Sequence, residues 1–344
     1  MIQVFSLTQR EQWDEIVTSF ESHDVYWLSG YVMAFRHRGE GEPLLLYYQG
    51  ESVRGINVVL KRDVAKDKHF VGKLPEGVYF DLTTPYGYGG WLVEGENSKE
   101  LFFCYECWCR ENGIICEFVR FHPVIDNQAA AQEAYQVIPL GQTVMLHLDS
   151  PEQIWSDISS KNRNMIRKAE KSGITIHIGN SKELYTVFTD IYNQTMDKNQ
   201  ADEYYYFDEP FYDSIREDLA DNATIFYAKK EEEIVAASII IYQNGLVNYH
   251  LSGSLLEYRN LAPSNLLLYK VALWGQENGY RTFHLGGGVG SAEDSLFKFK
   301  RAFVKEDGLC RFCIGKKVFC QEKYDELVAL RGEIQSNFFP LYRA

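Results

Sequence analysis

The sequence has 344 residues, 45% of them hydrophobic and 24% charged, which excludes a disordered chain and predicts two domains with separate cores. Its formal net charge of −13 excludes general affinity for nucleic acid or anionic lipid, so a phosphate-bearing ligand would need a local basic patch. No apolar run approaches the roughly 18 residues of a membrane span, and the N-terminal pattern is not that of a signal peptide. We therefore expect a cytoplasmic protein without integral membrane association.

The first half predicts a series of α and β elements. In chain order they are a helix, two strands joined by a charged turn, a strand with a Pro/Gly loop, and a helix followed by a strand (residues 8–20, 44–60, 77–90 and 98–121). Asn97 and Glu100 have the spacing of a helix cap, and Gly113 predicts where that helix ends.

The second half repeats the same order of elements. Its helix, hairpin, strand, and helix with strand occupy residues 181–196, 224–242, 246–254 and 264–287. Both long helices end in Glu-Asn-Gly, at residues 111–113 and 277–279. We interpret this as a duplicated α/β unit, with domains at 1–147 and 148–344. Ser150, Pro151 and Gln153 predict a helix start just after the boundary. The sequence does not show which core the last helix covers, and packing back on the first domain is one of the two alternatives.

Glycines 286, 287, 288 and 290 follow a predicted strand. They do not fit the G-x-G-x-x-G dinucleotide fingerprint, because residue 291 is serine, and the chain contains no P-loop motif. A strand end without side chains lets a ligand or a neighbouring chain segment approach the backbone. An ordinary flexible loop is the alternative.

Two segments carry clustered cations. Residues 295–303 place Lys298, Lys300 and Arg301 among phenylalanines, which suits a phosphate or a developing oxyanion; the alternative is an amphipathic helix with solvated lysines. Residues 160–173 predict a basic helix that Ser160 caps and Gly173 ends. Its cations are Lys161, Arg163, Arg167, Lys168 and Lys171. Arg163 and Arg167 share a face and could grip a diphosphate or carboxylate, unless the face is simply solvated.

Three weaker signals remain. Pro263 opens a helix whose first N–H groups, at Ser264 and Asn265, could bind pyrophosphate. His250 and His284 lie on predicted strands, where packed core histidines are commoner than ligands. The pairs Cys104/Cys107 and Cys310/Cys313 resemble zinc ligands in spacing only, because a strand points i and i+3 to opposite faces. We expect neither a metal site nor a disulfide framework.

In their order, these segments resemble the FemABX-like branch of the GNAT-related acyltransferases, which consist of two GNAT-like halves. Residues 160–176, 250–288 and 295–303 carry the resemblance, and 81–93 and 117–123 support it. It implies an α/β (α+β) fold with two tandem GNAT-like domains, each a mixed, mostly antiparallel sheet flanked by helices.

The resemblance implies an N-acyltransferase. The donor would be acyl-CoA or aminoacyl-tRNA, with no permanently bound cofactor, and the acceptor an amine of a small-molecule or lipid-linked cell-envelope precursor, such as a peptidoglycan muropeptide or an amino sugar. Phe299 and Lys300 match the acyl-transfer centre, and the donor contacts would be Ser264, Asn265, Gly286, Gly287 and Gly288. The substrate contacts would be Lys161, Arg163, Arg167, Lys168, Tyr86, Tyr88, Arg120, His122 and His250.

Two departures from the family pattern stand out. Residues 197–223 form an acidic, tyrosine-rich segment in place of the helical arm of some relatives, which together with the charge slightly favours a donor other than tRNA. In the first half nothing resembles the Phe-Lys pair, so we expect that half to bind the acceptor or to have lost its chemistry. Separately, none of Asp202, Glu203, Glu209 and Asp294 stands out as a general base. A non-catalytic binding protein for a cell-envelope precursor is therefore the alternative. Peripheral membrane contact stays open, and DNA is not expected as a partner.

Overall fold

The computed structural model describes residues 1–333 and 335–344. The chain forms two compact units: unit 1 contains residues 1–140 and 312–344, and unit 2 contains residues 141–311. The last helix therefore belongs to unit 1, whereas the sequence-based ranges placed residues 312–344 in the second domain.

The helices and strands have the following bounds. In chain order the strands are β1 (Ile2–Ser6), β2 (Glu42–Gln49), β3 (Val53–Asp63), β4 (Phe80–Thr83), β5 (Leu92–Gly95), β6 (Ile114–Arg120), β7 (Gln136–His147), β8 (Ile174–Gly179), β9 (Ala223–Lys230), β10 (Glu233–Gln243), β11 (Leu246–Ser254), β12 (Thr282–Gly286) and β13 (Leu309–Val318). The α-helices are α1 (Arg10–Thr18), α2 (Ser29–His37), α3 (Ser98–Glu111), α4 (Gln128–Ala131), α5 (Pro151–Asp157), α6 (Ser160–Lys171), α7 (Lys182–Lys198), α8 (Glu209–Asp218), α9 (Pro263–Glu277), α10 (Ser295–Arg301) and α11 (Gln321–Arg331).

The two units share one strand arrangement. Unit 1 has the order β1-β2-β3-β4-β6-β13, with β5 also on β3, and unit 2 has the order β8-β9-β10-β11-β12-β7. In both, the fourth and fifth strands run parallel, as β4 with β6 and β11 with β12, and the other recorded pairs are antiparallel. The predicted duplication and the mixed, mostly antiparallel sheets are confirmed.

The repeated Glu-Asn-Gly motif ends α3 and α9 in the same way. Asn112 Nδ2 donates to the carbonyl of Trp108 at 2.8 Å, and Asn278 Nδ2 donates to the carbonyl of Trp274 at 2.8 Å. The glycines that follow have φ of 68° at Gly113 and 78° at Gly279, which is the left-handed conformation that ends helices. The motif is therefore a structural repeat as well as a sequence repeat.

Of the three predicted side-chain caps, that of Ser150 is confirmed, whereas Asn97 makes no cap bond and Ser160 is not the capping residue, although α3 and α6 begin where the sequence predicted. Ser150 accepts from the Gln153 N–H at 3.1 Å, as its position before Pro151 suggested. The side chain of Asn97 makes no cap bond, and Glu100 accepts instead from Tyr48 Oη at 2.6 Å. Ser159 caps α6, one residue before the predicted Ser160.

Each unit buries its own apolar core. In unit 2, α9 packs against α6 and the sheet, and its Leu267, Leu268 and Val271 belong to one buried cluster with Phe283 and Leu285 of β12. In unit 1 a cluster under α3 includes Leu101 and Tyr105, and another under α11 includes Leu327. Burying each of these side chains stabilises the fold by about 1.5–3 kcal/mol.

A carboxyl group lies inside the core of unit 1. Glu117 is fully buried and accepts from Asn57 Nδ2 at 2.9 Å, from Tyr105 Oη at 2.8 Å and from Tyr135 Oη. Burial raises the pKa of Glu117, and these three donors only partly offset the effect. The folded state thus binds this proton more tightly than the unfolded state.

Glu117→Gln should change how stability depends on pH. The contribution of the raised pKa is full below the unfolded value of about 4.3 and is lost as pH rises through the folded value. The free energy of unfolding of the native protein should therefore fall relative to Glu117→Gln across that interval. Urea unfolding at several pH values measures this, with exposed Glu111→Gln as control. Parallel curves for all three proteins would contradict the assignment.

Candidate active site

Strands β11 and β12 separate soon after they pair. Their register joins Leu246–Asn248 to Thr282–His284, after which β11 continues along β10 to Ser254. Strand β12 stays with β7, where Gly286 lies opposite Val144. Where two parallel strands separate, their facing backbone N–H and C=O groups lose each other as partners and can bind an inserted extended group. We call this place the strand gap.

The glycine run begins at the end of β12. Gly286 has a φ of 75°, in the left-handed region. A Cβ on Gly287 would lie 3.0 Å from the carbonyl oxygen of Gln142, and one on Gly288 would lie 2.1 Å from that of Ala292 and 2.4 Å from Asp294 Oδ1. At Gly287 and Gly288, neighbouring chain segments occupy the space that side chains would need. Of the two uses that the sequence left open, close chain packing is therefore present here.

Lys300 is a buried cation next to this run. Its residue is 8% exposed, and Nζ donates to the Gly287 carbonyl at 2.7 Å. Burial lowers the pKa of Lys300 to about 8, and the carboxylate of Asp294 opposes this shift. The amine is thus mostly protonated at neutral pH, in a dry environment where its charge acts strongly.

Asp294 holds the loop and the helix that place Lys300. Its Oδ1 accepts from the Phe297 N–H at 2.8 Å, and its Oδ2 accepts from the Val289 N–H at 3.1 Å. Burial raises the pKa of Asp294, but the N–H groups of Phe297, Val289 and Leu296, together with the Lys300 ammonium, outweigh burial and hold the pKa below its usual range. The carboxylate therefore acts as a helix cap, which makes it a poor general base.

The other residues of this segment have different surroundings. Lys298 is exposed, whereas Arg301 donates to the Val304 carbonyl at 2.6 Å and pairs with Glu306. Phe299 is half-buried, with its ring 5.7 Å from that of Phe303 in edge-to-face geometry. Lys300 is the cation of this segment that faces the glycine run.

Tyr249 lies on the opposite side of the strand gap, and the sequence did not single it out. It is the first residue of β11 beyond the segment paired with β12. Lys300 Nζ lies over its ring, 5.8 Å from the centroid. The ammonium thus contacts the residue after β12 and an aromatic ring of β11. No local sequence signal indicates this contact, because the two residues are far apart along the chain.

The structure separates the two arginines of the basic helix α6. Arg163 Nη1 donates to the Ile158 carbonyl at 2.6 Å and lies within 3.3 Å of the Trp155 carbonyl, so it caps the end of α5. Arg167 is exposed, with its guanidinium 5.0 Å from the Trp155 ring. The expected joint grip on a diphosphate does not fit this arrangement, because Arg163 is already bound to the protein backbone. Further exposed cations of this helix are Lys161, Lys168 and Lys171.

The start of α9 is tied to α6. Asn265 Nδ2 donates to Asn162 Oδ1 at 2.6 Å, and Asn162 Nδ2 reaches the Ala302 carbonyl just after α10 at 3.4 Å. Asn265, predicted as a donor contact, therefore fixes the helix positions through its side chain. Ser264 is half-buried beside it. Asn162, 3% exposed, is a positioning residue that the sequence did not reveal.

Unit 1 brings its four predicted substrate contacts together. Arg120 Nε donates to the Gly87 carbonyl at 2.9 Å, between Tyr86 and Tyr88 in sequence. The Tyr88 and His122 rings lie 5.4 Å apart. Tyr86, Tyr88 and Arg120 are half-buried, but His122 is fully buried.

Two of the predicted substrate contacts are histidines: His122 is hydrogen-bonded at both ring nitrogens, and His250 lies at a strand bulge. His122 Nδ1 accepts from the Ile125 N–H at 3.1 Å, so Nε2 carries the proton and donates to Asp24 at 3.0 Å. His250 is the extra residue of a bulge, because Ile239 pairs with Leu251 and Ile240 with Tyr249. Burial lowers the pKa of His250 to about 3, so its ring is neutral at ordinary pH.

The remaining base candidates lie at the starts of short helices. Asp202 Oδ1 accepts from the Tyr204 N–H at 2.9 Å, and Glu209 pairs with Lys182 at 3.0 Å. Glu203 lies in a short 3-10 turn. In the described residues, no group of three or more His, Cys, Asp or Glu side chains has a geometry suited to a metal ion.

Comparison with known proteins yields three findings. Residues 158–301 match the model of the acetyltransferase (GNAT) domain. Over 176 residues, the chain is 27% identical to a UDP-N-acetylmuramoylpentapeptide-lysine N(6)-alanyltransferase of Weissella viridescens, covering 49% of this chain and 50% of that protein. The crystal structure of FemX superposes with a TM-score of 0.67 over 94% of this chain and 99% of that one, at 13% identity. Residues 158–301 thus carry a GNAT domain, and the chain resembles the FemABX-like, GNAT-related acyltransferases.

The likeness to FemX concerns the fold. A second solved structure, the C-terminal domain of a putative lysylphosphatidylglycerol synthetase from Agrobacterium fabrum, has a TM-score of 0.55 at 13% identity, over 90% of this chain and 92% of that one. The sequence match spans about half the length of the curated relative. Together with the GNAT match, it supports acyltransferase activity. Within the described residues, we find no helix with the length and apolarity of a membrane span.

Proposed function

We propose that this FemABX-like chain transfers an acyl or aminoacyl group from an activated thioester or ester to the amine of a cell-envelope precursor. The observation that carries the proposal is Lys300, a buried ammonium bound to the Gly287 carbonyl at the strand gap. The printed name of the Weissella relative, an alanyltransferase acting on the lysine of a UDP-linked pentapeptide, supports the acceptor class.

The chemistry assigns Lys300 a defined task. When a neutral amine attacks the donor carbonyl, a C–N bond forms and negative charge develops on the carbonyl oxygen. A positioned ammonium stabilises that oxyanion, most effectively where water is excluded. The intermediate then expels the thiolate or alkoxide, which leaves with the proton that the amine gives up. Lys300 stays protonated throughout, so this scheme does not require it to act as a base.

The strand gap suits an extended donor arm. Backbone groups of β11 and β12 face each other there after their pairing ends at Asn248 and His284. A pantetheine arm or the terminal nucleotide of a charged tRNA could enter beside them. Phosphate groups of either donor would meet the exposed cations of α6, with Arg167 foremost. We favour acyl-CoA slightly, because the net charge of −13 opposes a polyanion.

A donor and acceptor panel tests the proposal. Acyl-CoAs and aminoacyl-tRNAs are each combined with UDP-linked muropeptides and with amino sugars, and product is followed by mass spectrometry. We expect N-acylated product from one donor class. The absence of product from every pair, together with tight binding of a precursor, would instead favour the alternative of a non-catalytic binding protein.

Arg167→Ala should weaken donor binding without affecting the chemical step. Arg167 is exposed and stacks on Trp155, so its loss leaves α6 folded. We expect a several-fold higher KM for a phosphate-bearing substrate, a weaker salt dependence of that KM and an unchanged kcat. Exposed Lys198→Ala, at the end of α7, is the control. An unchanged KM at low salt would show that Arg167 does not bind the phosphate-bearing substrate.

A further inference from the structure

The ring of Tyr249 has unusually firm support for a residue beside a buried cation. Its hydroxyl donates to Ser252 Oγ at 2.6 Å, and Ser252 Oγ lies 2.9 Å from Ser238 Oγ on the neighbouring strand β10. Ser238 is 1% exposed, and Ser252 pairs with it across the sheet. Two hydroxyl groups on different strands thus fix the far end of the tyrosine.

The register of β11 explains how the ring reaches Lys300. The bulge at His250 lets Ile240 pair with Tyr249 while Ile239 pairs with Leu251. A bulge changes the direction of the side chains around it and is common next to active sites. Tyr249 is therefore directed at the point where β11 leaves β12, and its ring lies beneath Lys300 Nζ.

Few other groups near Lys300 Nζ can stabilise its positive charge, so the Tyr249 ring is significant. Gly287 supplies one neutral acceptor, and the glycines of the run present no side chains. Asp294 is the nearby carboxylate that acts on Lys300, and its oxygens are held by the N–H groups of Phe297 and Val289. His250 is neutral, Lys298 is exposed, and Arg301 points to Val304 and Glu306.

We propose that Tyr249 is a positioning residue for Lys300: anchored by Ser252 and Ser238, its ring holds the ammonium over the strand gap in the charged form. The negative face of an aromatic ring attracts a cation within about 6 Å, and the attraction grows when both are removed from water. The inference rests on the proposed function for its catalytic meaning, but the contact itself is testable without turnover.

Three variants separate the ring from its hydroxyl. Tyr249→Leu removes the ring, Tyr249→Phe keeps the ring and removes its anchor, and Ser252→Ala removes the anchor alone. NMR titration of the full chain, with 13C and 15N in its lysines and Lys300→Arg to assign the signal, gives the pKa of Lys300 directly. Thermal unfolding shows whether each variant is folded.

We expect Tyr249→Leu to lower the pKa of Lys300 by roughly 0.5–1 unit, because the charged form loses the stabilisation that the aromatic ring provides. Tyr249→Phe and Ser252→Ala should stay within roughly 0.3 unit of the native protein. In the transfer assay, kcat of Tyr249→Leu should fall by about tenfold or more, and the alkaline limb of its pH profile should shift by the same amount as the titration. Tyr249→Phe should recover most of kcat.

Two results would overturn the proposal. One is an unchanged Lys300 titration in folded Tyr249→Leu. The other is an equal shift in Tyr249→Phe, which would assign the effect to the hydroxyl. If no donor and acceptor pair supports turnover, the titration still decides this contact, so failure of the proposed function and failure of this inference are distinguishable.

Discussion

Replacing Lys300 by alanine should lower kcat by about 10²–10³-fold, with the fold intact. The buried ammonium is the positive group that the structure places at the strand gap, and removal of one oxyanion donor costs about 2.7–4 kcal/mol in enzymes that depend on it. Steady-state kinetics at saturating donor and acceptor measures the change. Lys298→Ala is the matched control, because it removes an exposed lysine from the same helix, and its kcat should equal that of the native protein.

The pH dependence of the transfer rate should reflect the titration of Lys300. Burial lowers the pKa of Lys300 to about 8, so the ammonium form is lost as pH rises through about 8. The acceptor amine must be neutral, which favours higher pH, and the two requirements together predict a bell-shaped profile. We expect the alkaline limb near pH 8 in the native protein. A rate that keeps rising through that range would show that the reaction does not use the lysine as a cation.

Arg343→Ala should destabilise unit 1 by about 3 kcal/mol, although it lies far from the proposed chemistry along the chain. Arg343 Nε bonds Asp81 Oδ2 at 2.6 Å, and its Nη1 bonds Asp67 at 2.9 Å. Asp81 is fully buried and also receives Arg62 Nε at 2.6 Å and Tyr342 Oη at 2.9 Å. Loss of one of the two guanidinium groups leaves a buried carboxylate with incomplete compensation.

Urea unfolding at neutral pH measures that loss, with exposed Arg311→Ala as control. Burial raises the pKa of Asp81, but Arg62 and Arg343 outweigh burial and lower it below its usual range. The stabilisation is therefore present above the unfolded value of about 3.9 and is lost as pH falls through the folded value. The difference between native protein and variant should shrink in acid. A difference below about 0.5 kcal/mol at neutral pH would place this network with ordinary surface ion pairs.

Features that depend on local periodicity and turn chemistry could be predicted from the sequence. The repeated order of elements predicted two units of one topology, and the Glu-Asn-Gly stops at Gly113 and Gly279 form the same cap in both. The glycine run and the lysine pair that follows it also indicated the candidate site proposed here. These signals lie within short segments, where propensity and capping act.

The sequence could not predict features that depend on contacts between distant segments. Lys298 and Lys300 are two residues apart and chemically identical, yet only the fold decides that one is solvated and the other buried at Gly287. Arg163 matched a ligand-binding pattern but binds the backbone at the end of α5. Tyr249 lies at the candidate site because of a strand bulge, and no residue pattern in β11 predicts that bulge.

The single-turnover rate of acyl transfer with both substrates bound tests the central claim most directly. Rapid mixing of donor-loaded enzyme with acceptor isolates the chemical step from binding and product release. If Lys300 stabilises the oxyanion at the strand gap, this rate falls at least about 100-fold in Lys300→Ala, while the dissociation constants of donor and acceptor stay near those of the native protein. An unchanged rate in the substrate-loaded variant would contradict the account.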